Sequence, residues 1–188
     1  MRMTTRCGRA VLAVAALGLA LKALAHPGHG VESGEVGHFA TGLLHPLTGL
    51  DHLLALLAVG LWSRQQRHGV VLPPSLLVLM ALGASMAGVL PAMPALETSI
   101  AATVLLLGVL AAFALRVPPA LSVAAVGLCG FLHGLAHGQE LSGMASGTGF
   151  LLASAAIMAV GALPGARVRR VAGAAISAAG AVLLAGLA

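Results

Sequence analysis

His45-Pro46-Leu47-Thr48-Gly49-Leu50-Asp51-His52 runs directly into Leu53-Leu54-Ala55-Leu56-Leu57-Ala58-Val59-Gly60. Two histidines and an aspartate therefore open a segment that is otherwise apolar. An ionised side chain at the centre of a membrane helix costs about 2.5–3.5 kcal/mol on insertion scales, so such residues mark a pathway, a proton relay or a site. A second cluster of the same kind is Phe131-Leu132-His133-Gly134-Leu135-Ala136-His137-Gly138-Gln139-Glu140. Two clusters in one small apolar chain point to metal or proton chemistry inside a membrane.

The rest of the chain supports the membrane setting. Of 188 residues, 59% are hydrophobic and 8% charged, and the mean hydropathy is +1.03. Apolar runs of about 20 residues recur, which is the length a helix needs to cross a bilayer. Apolar and polar residues do not alternate, which excludes a membrane β-barrel. The expected fold is all-α: a polytopic membrane helix bundle with six transmembrane helices after a cleavable signal peptide. The spans are expected at 38–62, 70–90, 96–116, 119–140, 147–165 and 168–187. Short loops between them predict that consecutive helices pack as antiparallel neighbours. Small-residue pairs such as Gly83-x-x-x-Ala87 and Gly173-x-x-x-Ser177 suit close helix contact, although such pairs also arise by chance in a chain with 25 glycines.

A basic start, the apolar run Ala10 to Leu21 and the small residues of Ala23-Leu24-Ala25 match a secretory signal. The alternative is an uncleaved first helix. Cleavage removes Arg2, Arg6, Arg9 and Lys22 and lowers the net charge from +5 by those four, to +1. A nucleic-acid partner is thereby excluded. Residues 1–25 are read as signal, 26–37 as a His-containing outer tail and 38–188 as the six-helix domain. Cys7 lies in the signal, leaving Cys129 alone, so no internal disulfide forms. Cys129 is four residues before His133 and reads as a small buried hydrophobe.

Loop charges set the orientation. Arg64 and Arg67 follow the first span, Arg116 the third, and Arg167, Arg169 and Arg170 lie between the fifth and sixth, whereas the opposite loops carry no Lys or Arg. By the positive-inside rule the mature N-terminus and the C-terminus face outward, the periplasmic side of a bacterial inner membrane. Both clusters then fall in the outer half of the bilayer, where they can form one shared site.

His133, His137 and Glu140 stand at i, i+4 and i+7, on one helix face. Imidazoles at i and i+4 can hold one transition-metal ion. His45 and His52, seven apart, also share a face. Pro46 removes a helical hydrogen bond, predicting a kink there and a freed carbonyl at Gly42. Asp51 reads either as a direct ligand or as an acceptor that fixes a histidine tautomer. A lone membrane histidine is most often a hydrogen-bonded packing residue, but four with two acids in one outer half favour a site. His26 would carry the mature amine and, with His29, offers a metal-collecting tail, the plain alternative being a solvated extension. His38 is read as interfacial, with a lesser role in metal entry, and His68 as solvated. Met80, Met86 and Met158 are read as packing, and Met93 and Met144 as outer-loop residues.

His45-x5-Asp51-His52 together with the run Phe131 to Glu140 resembles the HupE/UreJ family of bacterial nickel/cobalt permeases. The resemblance covers essentially the whole chain, and the paired motifs are specific. In the family pattern Phe directly precedes the first histidine of the second motif, whereas here Leu132 intervenes. The resemblance implies a cleaved signal, six helices, and a metal-pathway role for His45, Asp51, His52, His133, His137 and Glu140. Ni²⁺ or Co²⁺ is then the transported substrate, with no tightly bound cofactor, and the partners are the divalent ion and the lipid bilayer, a homo-oligomer being left open.

No Gly-x4-Gly-Lys-Ser/Thr motif is present, so ATP hydrolysis by that route is excluded, and the leading reading is a secondary transporter rather than an enzyme. The alternative is a zinc-dependent intramembrane hydrolase using the same His/acid cluster, with Asp51 or Glu140 as base. A third reading is a structural or metal-sensing membrane subunit.

Overall fold

The computed structural model describes residues 34–141 and 143–187. The expected signal (1–25), His26 and His29 lie outside the described residues. Among the described residues there are seven α-helices: α1 (Glu35–Thr48), α2 (Leu50–Ser63), α3 (Leu72–Met86), α4 (Leu96–Ala112), α5 (Pro119–His137), α6 (Gly143–Ala162) and α7 (Ala166–Ala185). A 3-10 turn, Gly69–Val71, leads into α3. Prolines sit in the first turns of α3 and α5, where the missing N–H has no helical acceptor to lose.

Four helices are long and apolar enough to cross a membrane: α3 with its leading turn, α5, α6 and α7. The α1–α2 pair makes a fifth if counted as one span, and α4 is a shorter apolar helix of 17 residues. The first expected span is therefore not one helix. It is broken, with α1 and α2 bent by 80°.

The break falls at Gly49, not at Pro46. Pro46 is accommodated within α1, whereas Gly49 is extended (φ −92°, ψ 111°) and ends α1 and caps α2. Thr48 Oγ1 donates to His45 O at 2.8 Å and so satisfies a carbonyl at the end of α1. Gly49 O then accepts from Leu53 N at 2.9 Å and starts α2. Asp51, in the first turn of α2, complements the positive end of that helix.

α2 is the central helix. From His52 to Ser63, ten residues around its whole circumference are buried. That is why its sequence is apolar on every side. Its C-terminal end is tied to α4 and the turn that follows it: Trp62 Nε1 donates to Leu115 O at 2.9 Å and Gln65 Nε2 to Ala111 O at 3.0 Å. The outer helices instead expose Val78, Leu82, Leu106, Leu128, Leu152, Val160 and Val182, a surface suited to lipid.

The expectation that consecutive helices pack together is corrected. The main pairs are α3 with α5, α4 with α7, and α6 with both α1 and α2. Glycine placement explains the choice, because a bare α-carbon lets two backbones touch. On α5, a Cβ at Gly130, Gly134 or Gly138 would strike the α3 backbone at Leu76, Met80 and Ala84, and one at Gly83 would strike Phe131 of α5. On α7, a Cβ at Gly173 or Gly180 would strike α4 at Ala112 and Leu105. Gly83 and Gly173, noted above as possible chance pairs, therefore both sit in helix contacts. These contacts also give the sense of each pair: α3 and α5 run parallel, α4 and α7 antiparallel.

Candidate metal site

Three helix ends meet at the break in the first span. α1 ends there with His45 in its last turn. α5 ends there with His137. α2 begins there with Asp51 and His52. Two C-terminal ends direct partial negative charge at this point, which favours a cation. Asp51 offsets the opposing positive end of α2.

The side chains form two groups. In the first, His45 Nε2, His137 Nδ1 and Glu140 Oε2 make a triangle with edges of 3.1, 2.9 and 3.2 Å. Two ligands at about 2.1 Å from one ion stand about 3.0 Å apart at a right angle and about 3.4 Å apart at the tetrahedral angle. The triangle thus has the size of one face of a coordination shell. His45 and His137 are partly buried and Glu140 is exposed, so this group is the accessible one.

The second group is His52, His133 and His137, whose ligand atoms lie within 4.8 Å of one another. His52 and His133 are 1% and 2% exposed, so this group lies in the interior. His52 Nδ1 is 3.2 Å from His133 Nδ1. The Nε2 atoms of His52 and His137 are buried without a hydrogen-bond partner among the described residues. Buried polar nitrogens with nothing to bind are rare, and here they belong to the best ligand type for late transition metals.

Thr103 and Phe150 complete the site. Thr103 Oγ1 donates its only proton to Ile100 O at 2.7 Å and lies 3.1 Å from His133 Nε2. The hydroxyl therefore accepts from His133 Nε2–H, which leaves the Nδ1 lone pair facing His52. Phe150, 2% exposed, packs tilted against the ring of His52 and edge-on to that of His45, at centroid distances of 4.9 and 5.5 Å. Its ring also borders a cavity of about 420 Å³ between α3 and α6.

The sequence singled out His45, His52, His133, His137 and Glu140, and the structure brings these five together. Asp51 belongs to neither group, though its carboxylate lies near the same break, beside Gly49. His38 is also outside both groups. His68 is exposed, Met80 and Met158 are buried, and Met144 is exposed, as their sequence positions predict. Cys129 is buried and free. Ser122 lies at the end of α5 remote from His133 and His137. Sequence reasoning missed Thr103 and Phe150. Thr103 carries a weak signal, a hydroxyl in the apolar stretch from Ile100 to Val109, whereas nothing distinguishes Phe150 from a lipid-facing aromatic.

A helical bundle with a broken span and a buried histidine cluster defines a multi-pass membrane protein with a candidate metal site. The sequence profile of the HupE / UreJ proteins matches residues 14–188. The chain is 40% identical over 182 residues to Protein HupE of Rhizobium leguminosarum bv. viciae, covering 89% of this chain and 94% of that protein. It belongs to the HupE/UreJ family. No solved structure matches it.

Proposed function

We propose that this protein is a secondary permease that takes up Ni²⁺ or Co²⁺ across the bacterial inner membrane. The observation that carries the reading is the meeting of His45, His137 and Glu140 with His52 and His133 at a helix break inside a membrane bundle. Irregular backbone at membrane depth is tolerated where it is packed in protein or lines a cavity, and broken helices with converging ends are how transporters hold ions. Imidazole and carboxylate suit both ions. The family resemblance names the same pair.

The proposed topology has six crossings, with α1–α2 as the first and α4 as the third, and both termini outside after signal cleavage. Two helix pairs agree with alternate crossings, since parallel α3 and α5 would be spans two and four and antiparallel α4 and α7 spans three and six, whereas the bent α1 runs antiparallel to α6, Gly42 meeting Ser146 and Gly149 meeting Phe39. The loops segregate in the same way. Arg67, His68 and Arg116 line one cavity of about 430 Å³ at one end of the bundle. At the other end Gln139 Nε2 donates to Ala87 O at 2.7 Å. The basic end would face the cytoplasm, placing Glu140 and His45 outside.

Uptake of Ni²⁺ and Co²⁺, singly and in competition, by liposomes containing the purified chain tests the reading. Saturable metal entry that His52→Ala or His133→Ala abolishes is expected. A correctly inserted chain that carries no metal would overturn it.

A further inference from the structure

We propose that the cluster is two metal stations in series that share His137 and therefore hold one ion at a time. The inference rests on the reading of this cluster as the metal path. The accessible station is His45 Nε2, His137 Nδ1 and Glu140 Oε2, with edges of 2.9 to 3.2 Å. The interior station is His52, His133 and His137.

The two nitrogens of His137 are assigned to different stations. Its Nδ1 lies in the accessible triangle, whereas its Nε2 is buried and unpartnered, with the His52 ring at a centroid distance of 5.1 Å. A neutral imidazole has one lone-pair nitrogen at a time, and the other carries the proton. His137 therefore cannot serve both stations at once. Two dications separated by one ring would also repel strongly in a low-dielectric interior.

The stations differ in chemistry. The accessible one includes a carboxylate, which supplies negative charge to an ion arriving from water. The interior one consists of three imidazoles, and Thr103 fixes His133 with Nδ1 available for binding. Passing from the first to the second, the ion gives up Glu140, His45 and His137 Nδ1 and takes His52, His133 and His137 Nε2, so the shared ring changes the nitrogen it offers. The ring's proton count is unchanged by the move: Nε2 gives up its proton as it binds, and Nδ1, hydrogen-bonded to Glu140, takes one up as it is vacated.

Co²⁺ serves as the probe, because its visible spectrum reports ligand type and number. The full chain in detergent, with His26→Ala and His29→Ala to remove the tail imidazoles, is loaded with Co²⁺ and desalted. One tightly held Co²⁺ per chain is expected. His45→Ala and His52→Ala should each still hold one, with different spectra, the His45→Ala spectrum being that of an all-imidazole site. His137→Ala should lose tight binding in both. Two Co²⁺ per unsubstituted chain would overturn the proposal without any substitution in the cluster, and so would complete loss in both His45→Ala and His52→Ala, the mark of one merged site. Retention in His137→Ala would overturn it as well. Binding requires no flux, so a chain that binds in this pattern but transports nothing would refute the permease reading and leave the two stations standing.

Discussion

Replacing Thr103 by Val removes one oxygen atom and nearly preserves shape. In the native site His133 is 2% exposed and its Nε2–H has the Thr103 hydroxyl, 3.1 Å away, as its acceptor. Val leaves that buried N–H without a partner, at a cost of about 1–3 kcal/mol. His133 can recover by moving its proton to Nδ1, but that spends the lone pair facing His52. The metal-binding form must keep the proton on Nε2 and bear that cost, whereas the free form escapes it by the shift, so affinity falls by up to that difference. With tenfold per 1.4 kcal/mol, the expected loss of affinity is about 5- to 150-fold. Loss of a partner that orients a metal-binding histidine typically costs about 10- to 100-fold, the same range. Equilibrium Co²⁺ binding and liposome uptake would measure it. Thr103→Ser, which keeps the hydroxyl and loses the methyl, should restore most of both. Unchanged affinity and uptake in Thr103→Val would refute the reasoning. Equal loss in Thr103→Ser and Thr103→Val would show that the methyl, not the hydroxyl, matters.

Other perturbations separate the parts of the molecule. Asp51→Asn should lower uptake at every metal concentration, because the positive end of α2 would then face the ion uncompensated; a loss confined to scarce metal would contradict this. Deleting residues 26–33 with the signal rejoined should depress uptake at scarce metal and leave the high-metal rate intact, as measured by concentration-dependent uptake. Gly134→Val would press a side chain into the Met80 backbone, so the thermal midpoint in detergent should fall, by the 1–3 kcal/mol or more that overpacking costs. Intact-mass measurement of the membrane-extracted protein should find a mature chain beginning at His26.

Composition and spacing were enough to read a helical membrane bundle and to name five residues that the fold brings together. His133 and His137, at i and i+4, lie in the last turns of α5, and local geometry is what periodicity encodes, whereas Glu140 lies in the turn beyond the helix and reaches His137 Nδ1 from there, not from the expected helix face. The break at Gly49 was less legible. Pro46 is the louder signal, yet α1 carries it within its last turn, while the decision to end lies in the backbone of a glycine three residues later. Partner choice was misread because loop length was given more weight than glycine. Gly130, Gly134 and Gly138 repeat every four residues on one face of α5, and that face, not chain order, selects α3. Thr103 was overlooked because it acts across a helix interface, where sequence spacing carries no information.

The only tryptophan of the chain is Trp62, and there is no tyrosine. Its ring is fully buried and its N–H is held by Leu115 O, so it is not available as a headgroup anchor. The protein therefore carries a single native tryptophan fluorophore, at the seam between the C-terminal end of α2 and the turn after α4. If α2 slides or tilts when His52, at its other end, takes up an ion, that seam must loosen, and the emission of Trp62 would report the motion without any added label.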